Sequence, residues 1–225
     1  MKKIIIAITA IFAVHGLWAQ PLCPVKEGMV LTYATKDAKN KVKNFSRQTV
    51  TSVEGSGNDM VVTISAEALD AKKKRMSDVP LITYKLKVQN GNVVLDPKAL
   101  LNSVAASTPF DATAEGTPMV LPADMKAGDV LPDCEMKMQV SIVKLNASYT
   151  NGLCEGDETI TTDAGTFHCK KTTYDCKSSA MGIKQDLVIH SWYAPGIGSV
   201  KQVVYDKKGK PSTIQELVEV NNGRF

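Results

Sequence analysis

Histidine is scarce in this chain. Three occur among 225 residues, and His15 falls in an apolar leader, which leaves His168 and His190. Acid–base and nucleophilic chemistry at neutral pH leans heavily on imidazole, and neither residue sits in a catalytic pattern. His190 alternates with apolar neighbours in Leu187-Val188-Ile189-His190-Ser191-Trp192. His168 is followed directly by Cys169, and adjacent strand residues point to opposite faces, so the two cannot converge as base and nucleophile. There is no Gly-x-Ser-x-Gly elbow and no Cys-x-x-Cys or His-x-x-x-His pair for zinc. Cys154, His168, Cys169 and Cys176 are suitable ligand types at unsuitable spacings. Pro195-Gly196-Ile197-Gly198 precedes no helical pattern, so it reads as a turn and not as a dinucleotide fingerprint. Glu155, Asp157 and Glu158 cluster, with Glu155 and Asp157 expected on one strand face. Nothing marks the second carboxylate that glycoside hydrolysis would need across a cleft. The expectation is a non-enzymatic protein with no catalytic residue, cofactor or metal.

A charge excess is missing too. The formal net charge is +4, from 27 basic and 23 acidic residues, and Lys2 and Lys3 of the leader supply part of it. Nucleic-acid binding wants a concentrated basic surface, so no nucleic-acid partner is expected. The densest basic stretch, Lys72-Lys73-Lys74-Arg75, reads as a solvated loop between strands. The functional alternative for it is contact with an anionic membrane or envelope polymer. No repeat or compositional bias dominates, which excludes collagen-like, coiled-coil and disordered chains.

What is present begins with an export signal. Met1-Lys2-Lys3 is a basic start, the run from Ile4 to Val14 is apolar apart from Thr9, and Trp18-Ala19-Gln20 closes the segment. That order of regions predicts a signal peptide over residues 1–19, with Gln20 as the new N-terminus and one β-rich domain over 20–225. The apolar run is shorter than the ~20 residues a membrane span requires, so no transmembrane segment is expected after cleavage. Cys23 could be lipidated only through a motif that places a small residue where Leu22 stands.

The exported part alternates with period two. Cys134, Met136, Met138, Val140 and Ile142 share one face while Glu135, Lys137, Gln139 and Ser141 share the other. Met60, Val62, Ile64 and Ala66 repeat the pattern, as do Ile82, Tyr84, Leu86 and Val88. One dry and one wet face belong to antiparallel sheets. Turns are expected at Gly55-Ser56-Gly57-Asn58-Asp59, Asn90-Gly91, Asn151-Gly152, Asp163-Ala164-Gly165 and Lys208-Gly209-Lys210. About ten to twelve strands at this spacing fit an all-β barrel or a β-sandwich. One short helix is expected over 98–106, entered through Asp96-Pro97. The two ends of the exported chain look alike, each a Gly-led strand reaching a Tyr (Tyr33, Tyr205) and then a Lys/Asp-rich tip.

All five cysteines lie in the exported part, where disulfides are the default. Five is odd, so one thiol is left over or pairs between chains. If the turn at 163–166 is a hairpin, Cys154 faces Cys176, and that bridge is expected. Cys23–Cys134 is a second candidate. The apolar face of Met136, Met138, Val140 and Ile142 is soft and adaptable. It reads either as plain core or as the lining of a cavity for an acyl chain or another apolar ligand.

Three segments carry a family resemblance. They are Glu158 through the Asp163-Ala164-Gly165-Thr166-Phe167 turn to Cys169, then Trp192-Tyr193-Ala194-Pro195-Gly196-Ile197-Gly198, then Val200 to Lys210 with Glu216-Leu217. They resemble the β-rich envelope proteins grouped with domain of unknown function 3108, most closely over residues 154–220. The resemblance implies a periplasmic or otherwise exported protein of a Gram-negative cell envelope. It also implies a curved antiparallel sheet forming an open half-barrel similar to lipoprotein carriers. It assigns no activity. Two functions fit. One is a binder of a lipid or other apolar small molecule. The other is a structural or assembly factor acting on an envelope protein partner through a sheet edge or face.

Overall fold

A computed structural model describes residues 20–98, 112–140, 143–180 and 182–222. The elements are β1 (Val30–Asp37), β2 (Val42–Ser56), β3 (Asp59–Leu69), β4 (Ile82–Gln89), β5 (Asn92–Leu95), β6 (Ala112–Gly116) and β7 (Met119–Leu121). They continue with β8 (Val130–Leu131), β9 (Cys134–Val140), β10 (Val143–Thr162), β11 (Gly165–Ala180), β12 (Ile183–Ala194), β13 (Gly198–Asp206) and β14 (Pro211–Asn221). The chain is all-β, as the alternation predicts. The expected helix over 98–106 lies outside the described residues save for its first.

The strands form one antiparallel sheet in the order β6-β9-β10-β11-β12-β13-β14-β1-β2-β3-β4-β5-β7, with β8 added beside β10. The sheet is not closed into a barrel: no ladder joins β6 to β7. Yet only Thr117 and Pro118 separate these two strands in sequence, so the chain ties the two ends of the sheet together. Thr117 fixes the junction, its backbone N–H donating to the Glu135 carbonyl and its hydroxyl accepting from the Glu135 N–H.

The turn chemistry largely follows the sequence. Gln89 pairs with Asn92 across Asn90-Gly91, whose φ values of 50° and 82° suit a tight hairpin. Asn151-Gly152 departs from expectation. It lies inside β10, and Gly152 pairs with Leu131. A Cβ at Gly152 would stand 2.4 Å from the Tyr174 ring, so the glycine seats that ring against the strand rather than reversing the chain.

The core lies on the inner face, where Leu31, Val50, Val62, Ile64, Val88 and Leu217 are all buried. The N-terminal segment joins it. Gly196 donates its N–H to the Pro21 carbonyl, and Pro24 bridges to Ile197, which brings Leu22 and Cys23 into the interior.

The expected disulfides do not form, and all five cysteines are free and buried. The β10–β11 turn holds only residues 163 and 164, since Thr162 already pairs with Gly165. Bulges at Thr150/Leu153 and Cys154/Gly156 shift the register further. Cys154 therefore faces Thr172, and Cys176 faces Tyr149. Tyr149 also pairs with Cys134, so Cys134 and Cys176 are two strands apart. At about 4.8 Å per strand that is too far for a bridge. Cys23 lies by Gly198 and not by Cys134.

Candidate functional site: an uncharged interior cavity

The inner face encloses two adjoining cavities. The first, about 270 Å³, takes its apolar wall from Ile64, Leu86, Val93 and Leu121 and is closed at one end by Leu22, Cys23 and Ile197. The second, about 230 Å³, is bounded by Tyr149, Tyr174 and Ile189. Leu95, Met119 and Tyr193 line both. Strands from opposite stretches of the sheet order, β3 to β5 and β12 to β14, thus face one interior. Together the two approach the size of a small-molecule site.

Apart from Glu135 in the second cavity, the polar lining is neutral. The first cavity has Gln48, Ser199, Gln215 and three tyrosines, with no Lys, Arg, Asp or Glu. The second adds Gln202, Ser191 and Thr117, with Glu135 as its one charged residue. The Tyr33 hydroxyl donates to the Ser199 carbonyl at 3.0 Å, and that of Tyr174 to the Pro132 carbonyl at 3.3 Å. Tyr193 is hydrogen-bonded to Ser191, which also accepts from Gln202. Tyr84 has no such partner among the described residues. Burial pushes the phenols of Tyr84 and Tyr149 up to about 12 and raises those of Tyr33, Tyr174 and Tyr193 as well. Burial likewise pushes the Cys23 thiol up to about 12 and that of Cys134 to about 11. The phenols and these thiols of the lining are therefore un-ionised at neutral pH, and neither thiol is an activated nucleophile.

The sequence-predicted lining residues fall at the edge of this interior. Met136 borders the second cavity, and Met136 and Met138 line a separate depression of about 330 Å³ with Leu145, Ala147 and Ile183. Val140 belongs to β9, and Ile142 lies outside the described residues. The first cavity, walled by β1 to β5 and the 22–24 segment, was missed. The alternation of Ile64, Tyr84 and Leu86 marked a buried face, but only the curvature of the sheet makes it a cavity.

The outer face is unlike the inner one. Lys171 pairs with Glu155 at 2.6 Å and with Glu158 at 3.6 Å. The bulge at Gly156 is the reason: it turns Glu155 toward Glu158, while Asp157 pairs with Lys170 instead of sharing the Glu155 face. Trp192 donates its indole N–H to Glu158 and lies beneath Lys171 and Lys201. Lys201 and Lys36 both pair with Glu216. His190 stacks edge-on against Tyr205, and burial lowers its pKa. His168 is exposed beside Thr159, opposite in direction to buried Cys169. Among the described residues no three His, Cys, Asp or Glu side chains gather as a metal site, and no helix is long and apolar enough to cross a membrane.

The profile of the DUF3108-like family matches residues 26–217, and the chain belongs to that family. Two solved structures share the fold. One is a protein from Bacteroides fragilis inferred to be exported, with a YmcC-like fold, at a TM-score of 0.73 and 21% identity over 90% of this chain and 99% of that one. The other is a protein from Parabacteroides distasonis inferred to be a lipoprotein, at 0.72 and 21% over the same shares. No curated protein matches the chain.

Proposed function

Starting from membership of that family, we propose that the protein is exported to the periplasm with residues 1–19 removed. There it acts without catalysis, as an open half-barrel that holds an apolar or lipid-like ligand in the two joined cavities. One observation carries this reading: the first cavity is lined by aliphatic side chains and neutral polar groups, and the partly buried Tyr84 hydroxyl has no hydrogen-bond partner among the described residues. Once a ligand covers that hydroxyl, leaving it without an acceptor would cost about 1–3 kcal/mol, so a ligand that supplies one is favoured. A carboxylate in the first cavity would meet no cation, and an unpaired buried charge is costly. The ligand class is therefore neutral: an acyl ester, a long-chain alcohol or an isoprenoid. Protein purified from its native envelope is expected to release such an amphiphile on solvent extraction and to show the matching adduct in native mass spectrometry. A clean apo mass together with no uptake of an added neutral lipid ester would contradict the reading.

A second reading, an envelope assembly factor, draws on the sheet ends. β6 and β7 each terminate the strand order with an unpaired edge among the described residues, and such edges template added strands. Crosslinking in the envelope that captures a partner at β6 or β7 would favour it.

A further inference from the structure

Three turns of this chain share one construction, and they carry lysine at the same two places. Asp37-Ala38-Lys39-Asn40-Lys41, Asp70-Ala71-Lys72-Lys73-Lys74 and Asp206-Lys207-Lys208-Gly209-Lys210 each begin with an Asp. Its Oδ1 accepts the N–H of the third and the fifth residue, at 2.8 to 3.0 Å. In each, the first residue donates its N–H to the carbonyl of the fifth, and the fourth donates back to the carbonyl of the first. The fourth residue is left-handed every time, with φ of 61° at Asn40, 60° at Lys73 and 72° at Gly209. The third and fifth residues are Lys in all three. The turn fixes the backbone through the Asp and projects those two side chains outward.

The three turns lie at one rim of the sheet. Asp37 pairs with Thr213, which sets the β1–β2 and β13–β14 tips side by side. Phe45 pairs with Leu69, which brings the 70–74 turn to the same end. Lys73 folds over the Phe45 ring at 5.3 Å and reaches Glu219. Lys39, Lys41, Lys72, Lys74, Lys208 and Lys210 are exposed, and none is in an ion pair. At the opposite rim the turns 57–58, 90–91, 163–164 and 195–197 contain no Lys or Arg, and the 122–129 connection beside Gly91 sets its one lysine, Lys126, between Asp124 and Asp129. The near-neutral chain is therefore polarised along its strands.

We propose that this rim docks the protein on a bilayer containing anionic phospholipid. Charge complementarity is one argument: separate lysines on neighbouring turns attract a diffuse negative surface, each ammonium acting as a hydrated point charge. The second is the apolar side chains at the same rim. Ile183 is 69% exposed and Leu81 42%. Ile183 opens β12 beyond the level of Asp206, which pairs with Leu187, and Leu81 immediately precedes β4, whose Ile82 pairs with Ala66 near the β3 end. Lipid tails accept such side chains, whereas a soluble anionic polymer offers them nothing. The docking does not require the cavity to be occupied.

The test is co-sedimentation of the full chain with phosphatidylcholine vesicles, with and without phosphatidylglycerol, at low and high salt. Binding is expected only with phosphatidylglycerol, and to fall steeply with salt. Lys72→Gln/Lys74→Gln and Lys208→Gln/Lys210→Gln should each weaken it at least tenfold, at about fivefold per lysine. Lys85→Gln/Lys87→Gln, on the outer face of β4, should leave it unchanged. Circular dichroism of each variant keeps folding separate from binding. Equal binding to neutral vesicles, or rim variants that bind as well as the parent, would overturn the proposal. So would retention by a soluble sulfated polysaccharide with no vesicle binding, which would name a polymer as the partner instead.

Discussion

The two faces of the same strands solve opposite problems. On the outer face from β10 to β1, Glu155, Lys171 and Glu158 form one ion-pair group and Lys201, Glu216 and Lys36 another; every charge meets its opposite, and the two groups meet over buried Trp192. One residue along, on the inner face, Ser191, Tyr193, Gln202, Gln215 and Tyr33 are neutral and border empty volume. The outer face is internally satisfied and needs nothing further. The inner face keeps space and a hydroxyl without a partner, the condition under which a ligand adds stability rather than displacing an existing contact. Single ion pairs at a sheet surface are worth little, so on the outer face the indole should matter more than the charges above it.

That contrast can be broken or sharpened in order of effect. The largest change is expected for Trp192→Ala, which should cost about 3–5 kcal/mol in urea unfolding as a large buried side chain is lost. A cost comparable to that of deleting one surface ion pair would mean that the outer face is not anchored by the indole. Next is Tyr33→Phe, which removes a bonded buried hydroxyl and should cost about 1 kcal/mol. Its counterpart Tyr84→Phe should leave stability unchanged or slightly improved and weaken ligand uptake. Equal costs for the two would place Tyr84 in a satisfied core.

Acid should act on the outer face first. Burial by itself pushes the Glu216 carboxyl upward, but hydrogen bonds from Lys36 and Lys201, with their charges, more than offset it, and its pKa lies below the ordinary 4.5. A carboxyl depressed in the folded state contributes stability that is full above its unfolded pKa and is lost as pH falls through the folded value. Wild type and Glu216→Gln should therefore differ in urea midpoint at neutral pH and converge as the pH falls below the ordinary glutamate range. A constant difference would remove the ion pairs from the account. The thiols give a check that leaves stability untouched. Because all five are free and buried, alkylation should be negligible in the native state and complete after unfolding without reductant. Fewer than five adducts in the unfolded chain would reveal a bridge that the register disfavours.

Much of the fold is legible in the sequence, because alternation and turn residues are local. The strand around Met136 and the Asn90-Gly91 hairpin follow directly. What fails is what depends on packing or exact register. Asn151-Gly152 carries turn chemistry, yet the glycine is required where the Tyr174 ring and Leu131 meet the strand. The Cys154–Cys176 expectation fails because the turn is two residues long and two bulges intervene. The cavity could not be read from period two, since its wall gathers residues from Leu22 to Gln215. The turn from Asp70 to Lys74 was masked by Lys73 and Arg75, which make it look like an undifferentiated basic run.

The central claim is that the interior is a ligand site and not a loosely packed core, and Leu95, which lines both cavities, allows the most direct test. Leu95→Trp should fill the passage between them. Titration with a neutral fluorescent acyl ester is predicted to saturate with the parent protein and to fail with this variant, whose circular dichroism stays native. Equal saturation by both, or by neither, would contradict the account.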